Sequence, residues 1–174
     1  MRLPSSIVRA AALLLLASAT PLLAQSPRAV GVTDAELREI VTLAEQSDAR
    51  WNARDAAGLS ALYTAEGHNR IVGTPVDLRG RDAIRAYFTQ SFPRTEPALV
   101  HHTVLEEVQR VSPDVVVVEG RVWLERTGAD SAHAIVRRFT MHAVIVREGD
   151  AWRVRWNRAR LEPAPTTAAA DAGR

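Results

Sequence analysis

Between Trp51 and Phe88 the chain reads WNARDAAGLSALYTAEGHNRIVGTPVDLRGRDAIRAYF. The stretch predicts the end of one helix, a short second helix, a strand and a third helix. Asp55 is a good N-cap, because its carboxylate can accept from the free backbone N–H groups of a first turn. Leu59, Leu62 and Tyr63 give the second helix one apolar side, and Gly67 stands where a helix of that length ends. A short strand is expected near His68–Val72. A hinge through Gly73, Pro75 and Gly80 then opens the third helix, where Ile84, Tyr87, Phe88 and Phe92 recur at helical spacing.

Upstream, Thr33-Asp34-Ala35-Glu36 is a capping box, in which hydroxyl and carboxylate each bond the other residue's backbone amide. Leu37, Ile40, Val41, Ala44 and Trp51 mark one face of a long first helix. Ser47 and Asp48 interrupt that face and read as a helix end leaving the core. Downstream, Pro93 and Pro97 break the chain, and the pattern turns to strands: Leu99–Val111, Val115–Arg126, His133–Arg147 and Ala151–Leu161. Ser112-Pro113-Asp114, Thr127–Asp130 and Glu148-Gly149-Asp150 join them. Short connections between long strands predict an antiparallel meander. Three helices followed by a curved sheet make an α+β layer fold over residues 33–162, as one domain. Residues 25–32 read as an unstructured linker and residues 163–174, rich in Pro, Thr and Ala, as a frayed tail.

Arg2 and Arg9 flank or interrupt an apolar run, Ile7–Leu16, followed by small residues. Residues 1–24 are therefore expected to be a signal peptide, cut after Ala24 or alternatively after Ala19. The expected destination is the periplasm or the extracellular space, with no membrane attachment after cleavage. The absence of cysteine excludes disulfides, thiolate chemistry and a lipoprotein anchor. Loss of Arg2 and Arg9 takes the 22 basic residues to 20, against 20 acidic ones. The mature chain would be near neutral; the pI of 9.9 is that of the full 174-residue chain, whose small basic excess is balanced with no lysine present. A nucleic-acid partner needs a net basic face, so none is expected.

Asp55 opening a helix, Leu62-Tyr63 closing it and Gly80-Arg81-Asp82-Ala83-Ile84 opening the next resemble the nuclear transport factor 2-like superfamily. That group includes ketosteroid isomerase, scytalone dehydratase, limonene epoxide hydrolase and the SnoaL-like polyketide cyclases. The resemblance implies a cone whose wide end is a pocket between the first two helices and the concave sheet. It also places the isomerase's general base at Ile71, its oxyanion tyrosine at Ser47 and its protonated acid near Phe139. None of these three side chains can do that work. The resemblance implies that the SnoaL-like and dehydratase branches use an Asp, or a His with an Asp. Of the five histidines, His68 is expected to face out and Asn69 into the pocket. His101 and His102 must diverge, since neighbours on a strand point to opposite faces. His142 reads as a hydrogen-bonded sheet histidine. No histidine spacing suits a metal, so no metal and no cofactor are expected. A histidine that related members carry near Asn157–Arg158 is missing.

Polar residues within apolar strands are the other signal. Glu119, Arg121 and Trp123 share a face, Arg137 lies between Ile135 and Phe139, and Arg153, Arg155 and Asn157 alternate with Trp152, Val154 and Trp156. They form either the wall of a cavity for a small acidic or aromatic ligand, or an outer-face network at a homodimer contact through the sheet. The network is the preferred reading. The candidate pocket residues are Trp51 and Tyr63 from the helices, Asn69 and Ile71 from the short strand, and Arg137 and Phe139 from the meander. Arg137 is expected either to face a ligand carboxylate or to be held by Glu119. The functional expectation is an exported small-molecule-binding protein. A cyclase, dehydratase or hydrolase acting through Asn69, Tyr63, one histidine and a strand arginine is one alternative, and a homo-oligomeric assembly module the other.

Overall fold

The computed structural model describes residues 26–128 and 131–163, with backbone alone at 131–133. The leader expected over residues 1–24 and the tail beyond residue 163 lie outside the described residues. The first helix, α1, runs Asp34–Asn52 from the capping box at Thr33. The Thr33 amide donates to Glu36 Oε2 at 2.9 Å, and the Glu36 amide donates back to Thr33 Oγ1 at 3.3 Å. Arg54, at a φ of 56°, turns the chain out of α1. Its guanidinium donates to the carbonyls of Trp51, Glu96 and Leu99 and stacks 4.3 Å over the Trp51 ring. These contacts hold a left-handed conformation that a non-glycine residue otherwise avoids. Asp55 caps α2, Ala56–Ala61, by accepting from the Gly58 amide at 2.8 Å.

Here the structure departs from the sequence reading. The second helix ends at Ala61, and β2 runs Tyr63–Val72. Tyr63 is a strand residue, and Gly67 lies inside that strand rather than at a helix end. Apolar residues at i, i+3 and i+4 suit a helix, but the edge of the sheet supplies a partner that local spacing does not show. β2 runs parallel to the last strand, with its register broken between Tyr63 and His68. At that break the chain folds back so closely that a Cβ on Gly67 would lie 2.8 Å from Tyr63 Cβ. A three-residue strand, β3 at Asp77–Arg79, pairs antiparallel with β2. Gly80 opens α3, Arg81–Ser91, and a single 3-10 turn follows at Phe92–Arg94.

The meander is β4 (Leu99–Ser112), β5 (Val115–Gly128), β6 (Ser131–Glu148) and β7 (Ala151–Leu161), each pair of neighbours antiparallel. The lead-in, expected to be unstructured, contains β1 at Arg28–Val30, parallel to β4. The sheet is thus mixed, in the order β1-β4-β5-β6-β7-β2-β3, and α3 follows three of its strands. β4 bulges between Leu105 and Glu107, opposite Gly120, where a Cβ would lie 2.4 Å from the Val104 carbonyl oxygen. Bulges of this kind bend a sheet. Helix α1 packs Ile40 and Leu43 onto Leu105, Val108, Val116 and Val118, which closes the narrow end of the fold.

Candidate functional site

At the other end the helices and the sheet part around a cavity of about 700 Å³. Its wall can be read along the strand registers. Deepest is the rung Ile145, Val154, Tyr63, and next to it Val118, Ala143, Asn157, Asn69. Further out, Val122 pairs with Phe139, and beyond them Leu124 pairs with both His101 and Arg137. Outermost, Leu99 faces Arg126. Arg94 and Glu96 from the 3-10 turn and the segment after it complete an exposed mouth. Tyr87, Phe88 and Phe92 cover the helical side.

All six sequence-named residues line this cavity: Trp51, Tyr63, Asn69, Ile71, Arg137 and Phe139. Tyr63 does so from β2, not from a helix. Asn69 is buried, and its Oδ1 accepts from Asn157 Nδ2 at 3.0 Å. Asn157 Oδ1 is buried with no hydrogen-bond partner among the described residues. Burial pushes the neighbouring Tyr63 phenol up to about 12, against a smaller opposing effect of its bond to Asn157. Asn157 faces inward because Arg155 is skipped in the β6–β7 register, which flips the alternation of the last strand. A second bulge, at Val136, leaves the exposed Val136 and Arg137 both lining the cavity rim, with Ile135 exposed but not lining it. Arg137 is not held by Glu119. Glu119 stands on the outer face with His142, 3.7 Å away, and Arg137 makes no ion pair among the described residues.

The sequence reading missed Asp48. It does not leave the core but reaches from α1 onto β4. Its Oδ1 accepts from Thr103 Oγ1 at 2.7 Å and its Oδ2 from the Thr103 amide at 2.8 Å. Oδ1 also lies 2.7 Å from His101 Nδ1. A carboxylate only accepts, so the neutral ring carries its proton on Nδ1 and leaves the Nε2 lone pair free. The imidazole tilts against Trp51, with centroids 5.2 Å apart, and lines the cavity. One available signal was a carboxylate on the apolar stripe of α1, one turn before Trp51. The diverging pair behaves as strand geometry requires. His102 turns outward and stacks on Trp123 at 5.1 Å and 14°. His68 also faces away, with Nε2 2.6 Å from Asp77 Oδ1. The side chain of His133 lies outside the described residues. No cluster of His, Asp and Glu suited to a metal occurs among the described residues.

Comparison with known proteins agrees with this architecture. The chain matches the SnoaL-like domain family over residues 35–157. No curated protein matches it in sequence. Among solved structures, a cystatin-like-fold domain of unknown function from Nostoc punctiforme superposes with a TM-score of 0.66 at 16% identity, over 77% of this chain and 82% of that one. An NTF2-like protein from Novosphingobium aromaticivorans gives 0.61 at 22% identity, over 78% and 89%. A ketosteroid isomerase-like protein from Erwinia carotovora gives 0.60 at 17%, over 76% and 100%. These likenesses show the fold alone: an NTF2-like α+β cone. With most of its length matched by the family, the chain belongs to the SnoaL-like domain proteins.

Proposed function

We propose that the protein binds a small, largely apolar organic molecule in the cone cavity, and that His101 exchanges a proton with it. The observation that carries this reading is the Asp48–His101 contact of 2.7 Å at the cavity wall. A carboxylate behind the ring that fixes the imidazole tautomer is what a general base needs. A cavity of about 700 Å³ suits a ligand of ordinary metabolite or drug size. The buried, unmatched Asn157 Oδ1 gives the inner end a hydrogen-bond acceptor for a ligand hydroxyl or amine. The reaction class is proton abstraction or acid-assisted elimination, in line with the cyclase and dehydratase reading. A thermal-shift screen of small hydrophobic compounds, with mass spectrometry of each hit, tests it. Turnover that disappears in His101→Ala while binding persists supports the proposal. Binding without turnover in the unaltered protein leaves a pure binding protein.

We further propose that the mature protein is exported after removal of residues 1–24 and dimerises through the outer face of the sheet. The half-exposed Trp123–His102 stack and the Arg121–Glu106 pair at 2.6 Å support the second part. Aromatic and arginine side chains are enriched at protein interfaces.

A further inference from the structure

We infer that the ligand of this cavity is an acid, with an apolar or aromatic body inside and its anionic group held at the mouth by Arg94 and Arg137. The inference rests on the cavity being the binding site proposed above. Among the described residues, three guanidiniums and one carboxylate line the mouth: Arg94, Arg126, Arg137 and Glu96. Glu96 and Arg126 neutralise each other through two parallel hydrogen bonds of 2.8 and 3.1 Å. The hydrogen bonds from Arg126 hold the Glu96 carboxyl below its ordinary value, and the same bonds raise Arg126. Arg94 and Arg137 make no hydrogen bond or ion pair among the described residues. Among the described residues, the mouth therefore presents two uncompensated positive charges.

The strand registers relate these charges to the imidazole. Leu124 pairs with His101 on one side and with Arg137 on the other. Neighbouring strands lie about 4.8 Å apart, so the His101 and Arg137 backbones are separated by about 10 Å. A carboxylate on Arg137 would set the next few bonds of the ligand beside His101. Deeper than this rung the wall is Val122, Phe139, Met141 and Leu105. An unpaired carboxylate costs heavily in such surroundings, whereas an apolar body is favoured there. The ligand thus enters body first, and a guanidinium can grip its carboxylate in a two-bond fork.

The test is calorimetric titration of the purified protein with 1-naphthaleneacetate and with 1-naphthaleneethanol, which share a body and differ in charge. The acid is expected to bind at least about tenfold more tightly than the alcohol, a difference of ~1.4 kcal/mol. Its affinity should fall with added salt, as expected for exposed charges. The double variant Arg94→Ala/Arg137→Ala should lose that preference and keep its affinity for the alcohol. Equal affinities for the two probes, with no salt dependence in the unaltered protein, would overturn the inference and leave the cavity reading standing. Binding of neither probe would overturn both.

Discussion

A carboxylate that accepts from an imidazole, an amide and a hydroxyl cannot become a methyl group without stranding three donors. Asp48 occupies that position between α1 and β4. Asp48→Ala should lower unfolding free energy by about 2 kcal/mol in urea titration, since stranded, partly buried donors cost about 1–3 kcal/mol each and water recovers some of them. The imidazole nitrogen shifts in NMR should also lose the Nδ1–H preference, which a purely structural Asp48 would not affect. Tyr63 makes a second residue-scale prediction. Its folded value of about 12 lies above the ordinary 10 of a phenol, so the folded state holds the phenolic proton more tightly. This contribution is fully present below pH 10 and is lost as the pH rises toward 12. Alkaline melts of Tyr63→Phe should lack this component.

At the scale of the element, the start of α1 and the bend of β5 are the places to press. Glu36 is held at about 2, first by the Thr33 amide and then by Arg110 and the Thr33 hydroxyl. Because its folded value is depressed, the stability it contributes is present above its ordinary 4.5 and is lost as the pH falls toward 2. Acid melts should show this loss, and Glu36→Gln should remove much of it while frayed exchange appears in the first turn of α1. Gly120→Ala forces a methyl group onto the Val104 carbonyl, 2.4 Å from where the Cβ would stand. The main chain has to move, so a loss of about 1–3 kcal/mol is expected by thermal denaturation. The α2–β2 junction shows why boundaries were harder to read than elements. Leu59, Leu62 and Tyr63 fit a helical face, yet the hydrogen bond from the Val154 amide to the Leu62 carbonyl, at 2.9 Å, commits the chain to the sheet.

For the whole molecule, the outer sheet face is where dimerisation can be tested. Trp123→Glu should convert a dimer to a monomer in sedimentation velocity at tens of micromolar, an order of magnitude suited to a modest interface. A clean monomer in the unaltered protein would remove the dimer proposal and leave the cavity untouched. The capping box at Thr33, the Asp55 cap, the helix after Gly80 and the four long strands are legible in the amino-acid order alone. Each depends on residues within one turn or one alternating run, so local chemistry suffices. Helix stripes, strand alternation and a family likeness at Ile71 also pointed to six positions that line the cavity. Contacts distant in the chain make Tyr63 a strand residue, turn Asp48 inward and set Asn157 toward the cavity. Asp48 meets His101 across 53 positions of chain, and Asn157 meets Asn69 across 88. The inward turn of Asn157 further depends on one residue being skipped at Arg155. Such contacts are set by sheet register and bulges, where a shift of one residue exchanges the two faces of a strand.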